Sequence, residues 1–280
     1  MTESWGLGPR ALGDLEIRQR VLAHDEGQVP VPGRDMAFWR AYAELVAGGG
    51  REFIEADEGQ PAFPKPNGRA ALWYSGGVES TYTQLIVDEP VDLLRLEDFS
   101  LFTSPHRKLG QVHFLCALIA ADLGYSRTYL GMERDDFLLT ANPSSWPFAE
   151  RHPRFAKLWS EHRPENAVVT LCGHLEKEEI MRELASRGVS VEGTCDRLDG
   201  GRWCGGCYKC FEAFYFSRAA GVDLGITLSR SSCERYYNNY ERYLRSGFTD
   251  SFNNSYHRFA RLQMRYQIAI DRSRDCFDDR

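Results

Sequence analysis

The 280-residue chain lacks any apolar run near the roughly 18–20 residues that a bilayer-spanning helix needs, so a membrane-embedded protein is not expected. Its start, Met1-Thr-Glu-Ser-Trp5, has no cationic segment followed by an apolar stretch, which argues against secretion and for a cytoplasmic protein. Basic excess is missing too: 34 Lys+Arg face 40 Asp+Glu, a formal net charge of -6, so no global electrostatic claim on nucleic acid is made. There is no repeat of solenoid length and no long low-complexity tract. The seven histidines show neither zinc-ligand nor triad spacing, and the order of residues assembles no Ser/His/Asp hydrolase. What is present is an ordinary folding composition, 42% hydrophobic and 26% charged, which excludes wholesale disorder. Eight cysteines are too few for a disulfide scaffold, and without export a cluster of them points to metal.

Residues 1–68 read as an irregular N-terminal extension with one short helix at Met36–Val46, where Phe38, Tyr42 and Val46 recur at helical spacing. Gly48-Gly49-Gly50 ends that helix, and Gln60–Gly68 reads as a Pro/Gly linker. From Ala70 the pattern alternates. Strands are expected at Ala70–Tyr74, Val91–Leu96, Arg127–Gly131 and Ala167–Leu171. Helices are expected at Val78–Val87, Leu109–Leu123, Phe155–His162 and Lys177–Arg187, the second stopped by Gly124 and the last by Gly188. Strand-helix alternation argues for an α/β domain over 69–225, a parallel sheet with helices on both faces. Residues 226–280 form an aromatic, Arg-rich extension, with Phe252, Tyr256, Phe259, Leu262 and Tyr266 on one helical face. Such a face packs onto the domain or onto a second subunit, as in a homodimer; the other reading is an Arg/aromatic grip on a partner.

Two local patterns carry chemistry. Ala71-Leu-Trp-Tyr74-Ser75-Gly76-Gly77-Val78-Glu79-Ser80-Thr81 is a strand, a Ser-Gly-Gly turn and a helix start. Glycines permit positive φ and close approach of backbone N–H groups, and the helix start adds unpaired donors and partial positive charge. With the hydroxyls of Ser75, Ser80 and Thr81, this suits a phosphate or pyrophosphate. It is not a Walker A loop, since no Gly-Lys-Ser/Thr follows, nor a dinucleotide fingerprint, since the third glycine is missing.

The second pattern is Cys195-x8-Cys204-x2-Cys207-x2-Cys210, four thiols within sixteen residues. Sulfurs of a C-x2-C turn converge on one ion, and four thiolates satisfy tetrahedral zinc with no open position, so the metal would be structural. Ferredoxin-like spacing keeps an iron–sulfur cluster as the rival. Cys116, Cys172, Cys233 and Cys276 lie outside the cluster.

Ser75-Gly76-Gly77-Val78-Glu79-Ser80 resembles the Ser-Gly-Gly-x-Asp-Ser PP-loop of the N-type ATP pyrophosphatases. The resemblance implies an adenine nucleotide α-hydrolase-like, Rossmann-like fold in which ATP is cleaved between its α- and β-phosphates. A substrate oxygen takes AMP, and the loop, with magnesium, holds the leaving pyrophosphate. The family's Asp is Glu79 here, its carboxylate one methylene further out. The distal cysteines, in the same order and spacing as that family's zinc ligands, make the chain similar to the 7-cyano-7-deazaguanine synthase family over roughly residues 70–225. Leu175–Ile180 is similar to that family's Lys-x-Glu-Ile helix start, and Ala213–Gly221 follows the last cysteine as in the family. That family adenylates a carboxylate with ATP and adds ammonia to give an amide and then a nitrile. Its pocket-lining Tyr-Pro-Asp-Cys-Arg stretch is replaced here by Gly131–Phe137 and Asn142–Pro147.

The resemblance therefore implies an ATP-dependent C–N ligase acting on a small carboxylate, with ammonia or an amine as nucleophile. Ser75, Gly76, Gly77, Val78, Glu79, Ser80 and Asp98 are the candidates for ATP and Mg2+. Lys177 and Arg134 are the candidates for neutralising phosphate charge, and Cys195, Cys204, Cys207 and Cys210 for Zn2+. Arg107 and Lys108 are weaker cationic candidates, Glu133 and Asp135 candidate pocket residues, and His113 a core histidine. Alternative readings are a thiolating nucleobase- or tRNA-modifying enzyme, which needs a reactive cysteine outside the quartet, and a zinc-stapled scaffold with a degenerate loop.

Overall fold

The structure is a computed structural model that describes residues 8–23, 27–56, 61–95, 108–134, 153–190, 203–246 and 257–267. Asp98, Arg107, Asp135, Cys195, Phe252, Tyr256 and Cys276, all singled out above, lie outside the described residues.

The described elements are α1 (Pro9–Leu22), β1 (Val29–Val31), a 3-10 turn (Gly33–Asp35), α2 (Met36–Ala47), β2 (Phe53–Glu55), β3 (Ala70–Trp73), α3 (Val78–Ile86), β4 (Val91–Leu94), α4 (Lys108–Asp122), β5 (Arg127–Tyr129), α5 (Pro153–His162), β6 (Ala167–Val169), α6 (Lys177–Ser186), α7 (Tyr208–Ala220), α8 (Arg230–Ser246) and α9 (His257–Tyr266). The expected strands and helices of the central region all form, shortened or extended by a few residues at their ends. Their stops act as read: Gly48 (φ 71°) closes α2, Gly124 (φ 78°) follows α4 and Gly188 (φ 66°) follows α6.

The protein is α/β, with parallel sheets flanked by helices, and it divides into two compact units. The first comprises residues up to Trp73, Ile86–Met132 and the described part of the segment to Leu171; the second takes Tyr74–Leu85, Glu133, Arg134 and everything from Cys172. These units cut across the chain boundaries expected at 68 and 225.

In the first unit four parallel strands run in the order β4-β3-β5-β6, with Ala70 opposite Val91 on one side and Arg127 on the other. Strand pleating sorts the side chains: Ala71 packs with Ala120 and Tyr125 toward α4, while Ala70 and Leu72 join Tyr129 on the opposite face. The main core gathers Phe38, Trp39 and Tyr42 of α2, Phe114 of α4, and Phe155 and Trp159 of α5, with ring centroids 5.0–6.1 Å apart.

The N-terminal stretch is not irregular. It carries α1 and a small parallel pair, β1–β2, in addition to the expected α2, and all three helped build that core. The buried face of α1 explains why periodicity missed it. Alongside Ala11, Leu15, Ile17, Val21 and Leu22 it buries Arg10, Asp14 and Arg18, so its inner face reads as polar. Those charges lie beside opposite charges or an aromatic ring. Arg10 pairs with Asp14 at 3.2 Å and with Asp35, Arg163 reaches Asp35 at 2.6 Å and Asp14 at 3.7 Å, and Arg18 lies over the Phe114 ring. The Gln60–Gly68 linker is pinned as well: Phe63 packs against the core, and Asn67 N–H donates to the Gly124 carbonyl at 2.8 Å.

In the second unit α6, α7, α8 and α9 pack together. Tyr215 of α7 and Tyr237 of α8 share a buried 2.6 Å hydroxyl hydrogen bond. Phe259 of α9, fully buried, meets the rings of Phe211, Tyr215 and Tyr240 at 5.3–5.9 Å. Of the residues expected on the tail's aromatic face, Phe259 and Leu262 are buried in this packing. No helix among the described residues is long and apolar enough to cross a membrane.

Candidate functional site

The chain leaves β3 and turns at Ser75-Gly76-Gly77, where Gly76 adopts φ 74°, a left-handed value open to glycine. The turn is knitted by its own hydroxyls. Ser75 Oγ lies 3.1 Å from Ser80 Oγ and accepts the Gly77 N–H at 3.2 Å, and Ser80 Oγ also accepts the Ser75 N–H and donates to the Gly77 carbonyl. Thr81 N–H donates to Gly77 O at 2.9 Å, so the first turn of α3 is already helical there. Ser80 is buried and braces the turn from beneath, whereas Ser75 is exposed at its tip. Thr83 anchors the same helix by donating to the Glu79 carbonyl at 2.8 Å.

The side chain of Glu79 enters an ionic network that sequence did not foresee. Lys177, the first residue of α6, places Nζ 2.9 Å from Glu79, 3.4 Å from Glu212 of α7 and 3.5 Å from Glu133. One ammonium thus faces three carboxylates. Arg258 of α9 closes the set at 2.8 Å from Glu212 and 3.1 Å from Glu133. Three carboxylates and two cations leave a formal charge of -1. Burial alone would push the Lys177 ammonium down, but Glu133, Glu212 and Glu79 outweigh it and hold its pKa well above the ordinary lysine value. Glu212 is held below the ordinary range, since Lys177 and Arg258 overcome the cost of burying it. The three carboxylates thus favour the charged form of Lys177.

Further along, α9 grips the start of α6. Arg261 pairs with Glu176 at 2.8 Å and reaches Glu178 Oε2 at 3.1 Å, while Arg265 pairs with Glu176 and lies 3.8 Å from Glu179. Glu176 and Glu179 already cap α6 reciprocally, Glu176 N–H donating to Glu179 at 2.9 Å. Arg258, Arg261 and Arg265 recur at spacings of three and four, so they share one helix face. This stripe was legible in the sequence, but a charged face normally reads as solvated.

The cysteine knuckle forms a second centre. The Sγ atoms of Cys204, Cys207 and Cys210 all lie within 4.8 Å of one another, with Cys204–Cys210 at 3.7 Å and Cys207–Cys210 at 3.6 Å. Tetrahedral zinc with Zn–S of about 2.3 Å requires sulfurs about 3.8 Å apart. The arrangement can hold one metal ion such as zinc. Cys207 caps α7 and Cys210 sits in its first turn, so helix geometry sets their spacing. Gly206 N–H points at Cys204 Sγ at 3.3 Å, and Gly205 (φ 67°) presses against the Thr227 carbonyl, with Ser229 N–H donating back to its oxygen at 3.0 Å. The fourth expected ligand, Cys195, lies outside the described residues.

Of the expected residues, the second unit unites Lys177 with Glu79 of the loop and with Glu133. Arg134 has an exposed side chain; its backbone N–H donates to the Leu175 carbonyl at 2.8 Å. Val78 is buried in the first turn of α3. Glu212 and Arg258 are the members that sequence reading missed. Neither belongs to a motif, and only the fold brings α7 and α9 to Lys177. His113 is half-buried. Cys116 is buried with its pKa pushed well up by that burial, Cys172 is buried beside Thr83, and Cys233 is disulfide-bonded.

Compared with known proteins, the chain matches no family model, no curated protein and no solved structure.

Proposed function

We propose that the protein is an ATP-dependent ligase of the PP-loop type, similar to 7-cyano-7-deazaguanine synthase, on a Rossmann-like parallel sheet. It adenylates a small carboxylate, deazaguanine-type or other, releases pyrophosphate, and passes the acyl group to ammonia or an amine to form a C–N bond. The observation that carries this reading is the left-handed Gly76 turn into α3 with the charged Lys177 ammonium 2.9 Å from the loop carboxylate.

ATP supplies the activated phosphate; the chain supplies placement. Backbone N–H groups at the start of α3 and the exposed Ser75 hydroxyl suit pyrophosphate oxygens. Glu79 offers one carboxylate to Mg2+, a cation that keeps waters and uses few protein ligands. Lys177 would offset charge growing on the leaving group. Cys204, Cys207 and Cys210, with Cys195, would hold Zn2+ as a structural staple; sulfurs this close suit one ion better than separate irons of a cluster.

One observation favours a second reading. Glu79 is already neutralised by Lys177, as in a scaffold whose loop no longer takes nucleotide. Titration calorimetry with Mg-ATP separates the two: binding supports the ligase and its absence the scaffold. With a panel of carboxylates and ammonia, the ligase releases AMP and pyrophosphate in equal amounts. Release of ADP and phosphate alone refutes it.

A further inference from the structure

We propose that the C-terminal helix α9 is a working part of the nucleotide site, with Arg258 a positioning residue that holds Lys177 against the loop carboxylate Glu79. The inference rests on the nucleotide reading above. Arg258 does not touch the loop residue; it acts through the two carboxylates it shares with Lys177. Glu212 is bridged, giving one oxygen to Arg258 at 2.8 Å and the other to Lys177 at 3.4 Å. Glu133 gives the same oxygen to both, at 3.1 Å and 3.5 Å. By taking up part of the negative charge of both carboxylates, Arg258 leaves the shortest Lys177 contact, 2.9 Å, to Glu79. Without it, the buried Glu133 and the largely buried Glu212 lose a shared cation, and the Lys177 ammonium is drawn from Glu79 toward them.

The surroundings hold Arg258 to that task. Its side chain is 6% exposed, its neighbour Phe259 is fully buried, and Arg261 and Arg265 fasten the same helix to Glu176, Glu178 and Glu179. A lysine at this position keeps the charge but loses the planar fork. Hence R258K is a graded perturbation, while R258M removes the cation outright.

The test is calorimetric binding of Mg-ATP to the full chain as wild type, R258K, E79Q and the R258K/E79Q double variant, with melting curves to verify folding. R258K is expected to weaken Mg-ATP on the order of ten-fold, as loss of a group orienting a ligand does. In the E79Q background the same change is expected to have little further effect, because the carboxylate against which Arg258 holds Lys177 no longer carries charge. Equal weakening in both backgrounds marks a merely structural arginine and overturns the inference, as does unchanged binding in a folded R258K. E212Q, which removes the bridging charge, repeats the cycle if R258K does not fold. Wild type that binds no Mg-ATP refutes the nucleotide reading itself, and the inference with it.

Discussion

Replacing Lys177 by methionine keeps an unbranched apolar stem and removes the ammonium, which lies 5.6 Å from the Phe216 ring centroid. Of this set only Arg258 then remains as a cation, beside Glu133 and Glu212, and the formal charge of the set falls from -1 to -2. Breaking a buried ion pair from one side costs about 3–5 kcal/mol. The structure sets a ceiling on that cost, because an uncompensated carboxylate can take a proton. With an ordinary glutamate value of 4.5, protonation at pH 7 costs about 3.4 kcal/mol at about 1.36 kcal/mol per unit. The ceiling falls to about 0.7 kcal/mol at pH 5. The sign agrees with linkage. In the wild type the depressed Glu212 carboxyl contributes stability above the ordinary value and loses it as pH falls, so the wild type's advantage over K177M shrinks on acidification. Urea unfolding of both proteins at pH 5, 6 and 7 measures this. A destabilisation that does not change with pH, or that is below about 1 kcal/mol at pH 7, refutes the three-carboxylate account of Lys177.

Two further outcomes test other parts of the molecule. Gly205→Ala would bring a Cβ to 2.1 Å from the Thr227 carbonyl oxygen, so the knuckle must retreat by about 0.9 Å to reach the closest distance real contacts show. Left-handed φ adds about 1–2 kcal/mol. Zinc content after chelator challenge and the melting temperature should both fall, and retention of both at wild-type levels would refute the metal-knuckle geometry. Asp14 is raised to about 6 by burial, which outweighs its pairing with Arg10 and Arg163. Its folded value lies above its unfolded value, so stability falls as pH rises from about 4 to about 6, at about 1.4 kcal/mol per unit, and levels off above. Asp14→Asn should remove that slope, which chemical denaturation across the same range would reveal.

How much was legible differs between elements. Strong periodicity and glycine stops placed α2, β3, α3, α4 and α6 within a few residues, because their apolar spacing and terminators agree. The first helix escaped notice because Arg10, Asp14 and Arg18 occupy its inward face, and only the approach of Asp35 and Arg163 makes their burial tolerable. The tail's aromatic stripe was legible but its destination was not. Phe259 finds Phe211 and Tyr215 on α7, a pairing 44–48 residues apart that no local pattern encodes.

The two chemical centres divide along the same line. Spacing alone determined the Ser75–Ser80 turn and the cysteine knuckle, since a β-to-α turn and a C-x2-C turn are short-range geometries that glycine and helix pitch dictate. The partners of Glu79 were decided by the tertiary structure. Lys177, Glu133, Glu212 and Arg258 come from four separate stretches of chain, and the energy that selects their arrangement is that of charges removed from water together. That term acts through space and leaves no period in a sequence.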